Sequence, residues 1–162
     1  ETGMAIMISY TFISIGDIFC TLLSQLLKSR KKALAIFLLI SMSGILFFLL
    51  FPAKTTHGYY LRCAFMGIGI GYLSLLVTFV SERFGTNLRA TVATTIPNVV
   101  RGGLIPALLV FAALRKGDAV LFAGQPLVSS AVIVGGVTML IAFIGLVFLK
   151  ETYGKELDYV EE

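Results

Sequence analysis

The sequence predicts an all-α, polytopic membrane protein with five transmembrane helices, on the strength of its composition and the lengths of its apolar runs. Apolar residues make up 57% of the 162 residues and charged residues only 14%, with a mean hydropathy of +0.95. A soluble domain of this size needs more polar surface than that. The apolar residues gather into runs of about 20, the length that crosses about 30 Å of hydrocarbon at 1.5 Å per residue. Five such runs lie at 4–27, 33–50, 59–80, 90–114 and 127–149, followed by a tail at 150–162. A soluble helical core would need charged outer faces, and the second and fifth runs contain no charged residue.

The first span carries Tyr10, Ser14, Asp17, Thr21, Ser24 and Lys28, a spacing of alternating three and four that forms one stripe along a helix. The third span repeats it with small residues first, at Gly67, Gly71, Ser74, Thr78 and Ser81. The fourth repeats it with Thr91, Thr94, Asn98 and Arg101. The second and fifth have no such face. Polar groups at membrane depth are stable only against protein or water. The first, third and fourth spans are therefore expected to face a bundle interior or an aqueous cavity, with the second and fifth outside them toward lipid. A plainer reading stands beside this one: Ser and Thr in membrane helices often bond their own backbone, and small residues often mark tight helix packing. For the third span alone, packing is the stronger reading. Its "GIGIG" at 67–71 has neither a strand before it nor a lysine after it, so a nucleotide loop is not expected.

Orientation follows from lysine and arginine in the connections. One side holds Lys28, Arg30, Lys31, Lys32, Arg83, Arg89, Lys150 and Lys155, and the other holds Lys54, Arg62, Arg115 and Lys116. That bias places the C-terminus and the first connection in the cytoplasm, in a bacterial inner membrane or a plasma membrane. The net charge of +4 then anchors the chain to the inner leaflet, and no nucleic-acid partner is expected. Cys20 and Cys63 differ in depth by roughly 15 Å in this topology, too far for a bridge, so both should be free, buried thiols. His57 has no second His or Cys nearby, so neither a metal site nor a nucleophile with its base can be assembled. No cofactor and no enzymatic activity are expected.

Asp17 and Arg101 lie near the middle of their spans, where an isolated charge costs about 2.5 to 3.5 kcal/mol on insertion scales. Three reasons compete for Asp17: an ion pair with Arg101, a charge that binds a substrate, or a protonatable coupling site with its pKa raised by desolvation. The last does not apply to Arg101, which stays charged.

Charges of both signs gather at three helix ends, in "LLSQLLKSRKKAL", "SERFGTNLRAT" and "LKETYGKELD". A solvated, positive rim is the simple account of the first. The combination resembles the major facilitator superfamily, in the branch of sugar porters, organic-ion transporters and metabolite:proton symporters. Ser29-Arg30-Lys31-Lys32 is similar to the basic end of that family's loop motif after the eighth helix. Glu82, Thr86, Arg89 and Ala90 are similar to its motif after the tenth, with Gly85 where a proline usually stands. Arg101, Gly103 and Pro106 in "VVRGGLIP" resemble its eleventh-helix motif, and Glu151-Thr152 with Gly154-Lys155-Glu156-Leu157 resembles its exit from the last helix. The acidic residue of the first motif is absent; Gln25, Leu26 and Leu27 occupy its neighbourhood.

The resemblance implies that the five spans are the eighth to twelfth helices, part of the C-terminal six-helix bundle. The family lines its cavity with three of them, the same three that the stripes select. It also implies that residues 1–162 are a partial transmembrane domain whose partners are the bilayer, a small organic solute and seven absent N-terminal helices. The transporter would move its solute by alternating access between two six-helix halves. Arg101 and Asp17 would line the central site, with Tyr10, Ser14, Thr94 and Asn98 as hydrogen-bonding neighbours. A buried arginine favours an anionic group such as a carboxylate, and a titrating Asp17 would allow proton symport. Arg30, Lys31, Lys32, Glu82, Arg89 and Glu151 would form a cytoplasmic charge network that holds one state. The alternative is a small membrane scaffold or assembly subunit without transport activity, whose stripes only pack helices.

Overall fold

A computed structural model of the chain describes residues 2–51, 53–116 and 125–154. The tail residues Lys155, Glu156 and Leu157 of the exit motif lie outside them. Among the described residues the regular structure is entirely helical. The helices are α1 (Thr2–Leu26), α2 (Arg30–Leu50), α3 (Thr56–Ile70), α4 (Leu73–Ser81), α5 (Thr86–Gly102), α6 (Leu104–Lys116) and α7 (Pro126–Phe148). α3 with α4, and α5 with α6, run on from one another, so five stretches are long and apolar enough to cross a membrane.

The third and fourth spans are each divided in two, which the periodicity did not foretell. At the first division Gly71 closes α3 with its N–H on the Ile68 carbonyl at 3.1 Å, and the Tyr72 N–H turns back to Ile70 at 2.8 Å. The reason is the neighbour. A Cβ on Gly71 would lie 2.6 Å from the backbone of Gly16 and from the Asp17 nitrogen, so α1 presses directly on the turn. The second division, at Gly103, is gentler because Gly103 keeps right-handed helical angles and donates to Val99. Pro97 within α5 and Pro106 at the start of α6 have no N–H to give the helix, which makes this a bend-prone region.

α1 and α3 cross at glycines. A Cβ on Gly16 would sit 2.4 Å from the Ile68 carbonyl oxygen, and one on Gly67 would sit 2.7 Å from that of Ser9. Gly69 turns the other way, to α2, where the Ser41 hydroxyl donates to its carbonyl at 2.5 Å. The "GIGIG" run is therefore a packing device serving two neighbours. Close backbone approach of this kind holds membrane helices together, since lipid tails leave no hydrophobic drive between them.

α2 departs from the expectation that it lies outside the others. It packs on α1, α3, α4 and α7 and contributes Ala33, Leu34, Phe37, Leu38, Ser41 and Gly44 to the interior, more buried residues than any other described helix. Its lack of a polar face is the reason, because an all-apolar helix packs on protein as readily as on lipid. The core joins Leu34, Phe37 and Leu38 to Cys20, Leu75, Phe79 and Leu146. Its other side, with Leu39 and Leu50, remains exposed. Cys20 and Cys63 are both free and buried.

Candidate functional site

Two groups of polar side chains stand out, one at mid-span around Asp17 and one where α2, α4 and α7 end together.

At mid-span, the division of the third span leaves the first N–H groups of α4 without partners inside the helix. Tyr72, at the N-cap position, provides no side-chain bond. Asp17 of α1 provides it instead: one carboxylate oxygen accepts from the Ser74 N–H at 3.1 Å and the other from the Ser74 hydroxyl at 2.6 Å. A carboxylate at a helix N-terminus also meets the positive end of the helix dipole. Asp17 is thus a cap supplied by a neighbouring helix, a fourth reason alongside the three that the sequence suggests. It borders a shallow cavity of about 280 Å³ with Thr21, Leu22 and Ser74.

The other residues predicted to line the central site are exposed, whereas Ser24 and Ser81 of the stripes are buried. Tyr10, Ser14, Thr94, Asn98 and Arg101 all lie on the surface of the described chain. Ser14 donates to the Tyr10 carbonyl at 3.1 Å, Thr94 to the Thr91 carbonyl at 2.9 Å and Asn98 to the Thr94 carbonyl at 3.3 Å. These are bonds within one helix, as the plainer reading expects. α5 packs on α4 and α6, and no bond joins Arg101 to Asp17. Arg101 makes no hydrogen bond or ion pair among the described residues.

The Asp17 cap is tested by Asp17→Ala, which leaves both Ser74 donors without their acceptor. The expected cost is about 1–2 kcal/mol in unfolding measured in detergent, the range for a lost cap. Asp17→Asn keeps one acceptor and should cost less. Equal stability of all three proteins would refute the cap.

At the helix ends the charges interlock. Arg30, the first residue of α2, pairs with Glu82 through two parallel bonds, from Nε at 2.6 Å and from Nη2. Glu82 is the C-cap of α4 and almost wholly buried; its Oε2 also accepts from the Thr152 hydroxyl at 2.7 Å. Glu151, just beyond α7, lies over the start of α2. Its oxygens accept from the Ser29 hydroxyl and from the N–H groups of Arg30 at 3.0 Å and Lys31 at 3.2 Å. They also accept from the N–H groups of Thr152 and Tyr153. Ser29 itself caps α2, accepting from the Lys32 N–H at 3.2 Å. The donors at the first turn of α2 are thus met by the oxygens of Ser29 and Glu151.

Of the residues the sequence placed in a charge network, Arg30, Glu82 and Glu151 come together. Lys31 joins through its backbone while its ammonium donates to the Val147 carbonyl at 2.7 Å. Lys32 contributes only its N–H, and Arg89 donates to the Phe84 carbonyl at 3.4 Å. Sequence reasoning named Ser74 as part of a stripe and Thr152 as part of the exit motif but missed their bonds to Asp17 and Glu82, and it missed the capping role of Ser29. For Ser29 a signal existed, a serine directly before the second helix.

Partial burial acts to raise the pKa of Glu151, but the Ser29 hydroxyl and the backbone donors of Tyr153, Arg30 and Lys31 outweigh it and bring the carboxyl from 4.5 down to about 2. A depressed folded-state pKa means that the bond's contribution is complete above about pH 4.5 and is lost as pH falls toward 2. Acid unfolding followed over that window should show a shallower loss of stability in Glu151→Gln. An unchanged acid limb would remove Glu151 from the account.

Comparisons with known protein families, with curated proteins and with solved structures found no match.

Proposed function

We propose that the chain is the C-terminal five-helix portion of a secondary transporter of the major facilitator type, moving a small organic solute by alternating access. The observation that carries this reading is the exposed polar face of α1, α4 and α5. Tyr10, Ser14, Ser74, Thr78, Thr94, Asn98 and Arg101 all stand open on helices that are otherwise built for lipid. In a bilayer such a face needs protein or water against it, and the other half of a two-bundle transporter, with an aqueous cavity between the halves, would supply both. Arg101, with no partner among the described residues, then serves as the binding charge for an anionic solute group. Asp17 belongs to the part of that face contributed by α1. The lysine-rich ends lie in the cytoplasm by the charge bias, and the Arg30, Glu82 and Glu151 cluster ties α2, α4 and α7 together as one rigid end for the rocking motion.

The scaffold reading is favoured by a different observation: Asp17 caps α4, and the hydroxyls of Ser14, Thr21, Thr78 and Thr94 bond their own helices, both of which are structural roles. The two readings part on Arg101. Solute uptake by the chain together with its remaining helices should fall at least tenfold in Arg101→Ala if Arg101 binds the solute, a loss matching one charge-assisted hydrogen bond of about 1.5–3 kcal/mol. Unchanged affinity and rate would withdraw the site.

A further inference from the structure

The seam between α2 and α7 opens at two places. At the lysine-rich end it forms a groove of about 680 Å³, with Ala35, Phe143 and Leu146 as an apolar floor and Lys28, Lys31 and Lys32 at the rim. Further along the same two helices lies an apolar crevice of about 130 Å³, between Met42 and Leu49 on one side and Gly135 and Gly136 on the other. The two glycines make the crevice: a Cβ at either would meet nothing within 4 Å. Lys32 and Met42 are ten residues apart on α2, about 15 Å at the helical rise.

We propose that this seam binds an anionic phospholipid, its phosphate against the lysine rim and one acyl chain laid along the seam into the crevice. The charge is available. Lys28 and Lys32 are exposed and their ammonium groups bond nothing among the described residues, while Lys31 is held at the rim by its bond to the Val147 carbonyl. Glu151 also lines the groove, but both its oxygens are occupied by the Ser29 hydroxyl and four backbone N–H groups. Among the described lining residues three lysines stand against this one carboxylate, so the rim is net positive. Clusters of this kind beside membrane helices attract anionic lipid headgroups. A free phosphate would satisfy the rim and leave the apolar crevice unused; a phospholipid satisfies both. Lys28 is itself unusual, since it stands in the left-handed region at φ 48°. There it closes α1 with its N–H on Gln25 and the Ser29 N–H on Ser24, an arrangement in which glycine is the favoured residue. The site is independent of what the polar stripe does and holds under either functional reading.

The test reconstitutes the protein in phosphatidylcholine nanodiscs doped with phosphatidylglycerol and measures retained lipid by native mass spectrometry. Phosphatidylglycerol should be retained over phosphatidylcholine. Lys28→Gly with Lys32→Gln should weaken that retention by about 30-fold, and glycine at 28 suits the backbone, so the fold is kept. Gly135→Leu fills the crevice from open space and should weaken retention of long-chain phosphatidylglycerol while sparing the dihexanoyl form. Equal retention of the two lipids, or retention indifferent to the lysine substitutions, would overturn the proposal. Displacement of the lipid by inorganic phosphate, with Gly135→Leu silent, would overturn it as well by making the rim a plain anion site.

Discussion

Arg30→Ala should destabilise the protein by about 3–5 kcal/mol, the cost of leaving one member of a buried ion pair without its partner. Glu82 is the member left behind. Its side chain is only 7% exposed against 19% for Arg30, and the Thr152 hydroxyl is the donor that would remain on it. The carboxylate can neither reach water freely nor stay charged at low cost. Three helices depend on this point, because Arg30 begins α2, Glu82 ends α4 and Thr152 follows α7. Arg30→Ala combined with Glu82→Gln should recover much of the loss, since a neutral amide still accepts from Thr152 and leaves no uncompensated charge. Chemical unfolding in detergent checks both. Equal stability of the single and double variants would mean that Glu82 is already solvated and that the pair does little.

Gly16→Ala should loosen α1 from α3, at a cost of about 1–3 kcal/mol or more. The new methyl would lie 2.4 Å from the Ile68 carbonyl oxygen and 3.0 Å from its Cα. These are backbone atoms, so no side chain can swing aside and the helices themselves must separate. The same movement withdraws α1 from the turn at Gly71 and carries Asp17 away from Ser74. Gly16→Ala is thus expected to cost more than Asp17→Ala although it removes no polar group. Gly145→Ala is the control, because a Cβ there meets nothing. Removing a glycine from a helix interior should leave stability unchanged or raised by up to about 1 kcal/mol. Comparable losses in the two variants would show that helix propensity, and not the crossing, sets the result.

The five spans were legible because a run of about 20 apolar residues matches the thickness of a bilayer and exceeds what a soluble core helix usually buries. Their boundaries at the charged ends fell within about a turn of the helix ends, since lysines and arginines interrupt an apolar run, although Ser29 as the start of the second helix was missed. The divisions at Gly71 and Gly103 were not legible. Polar periodicity runs unbroken from Gly67 to Ser81, and only the pressure of α1 on Gly71, a contact between residues far apart in the chain, interrupts the helix. The partner of Asp17 was hidden for the same reason: Ser74 becomes a donor in need only once α4 has an N-terminus of its own. The central place of α2 was hidden because a helix without a polar face suggests lipid, whereas Leu34, Phe37 and Leu38 pack as well on protein. At the helix ends the charged residues are visible in the chain but their pairing is not, because it depends on how the fold brings residues 30, 82 and 151 together.

The most direct test of the polar face is thiol accessibility in the membrane. Single cysteines replace Tyr10, Ser14, Thr94 and Asn98 in one set and Phe19, Val137, Leu140 and Ile141 in the other, with Cys20 and Cys63 changed to alanine. All eight positions are exposed in the described chain, so only their surroundings differ. A membrane-impermeant thiol reagent applied to the chain together with the N-terminal helices that the transporter reading implies should label the first set and spare the second. Labelling of neither set would mean a dry, packed face and would contradict the water-lined cavity on which the transporter reading rests.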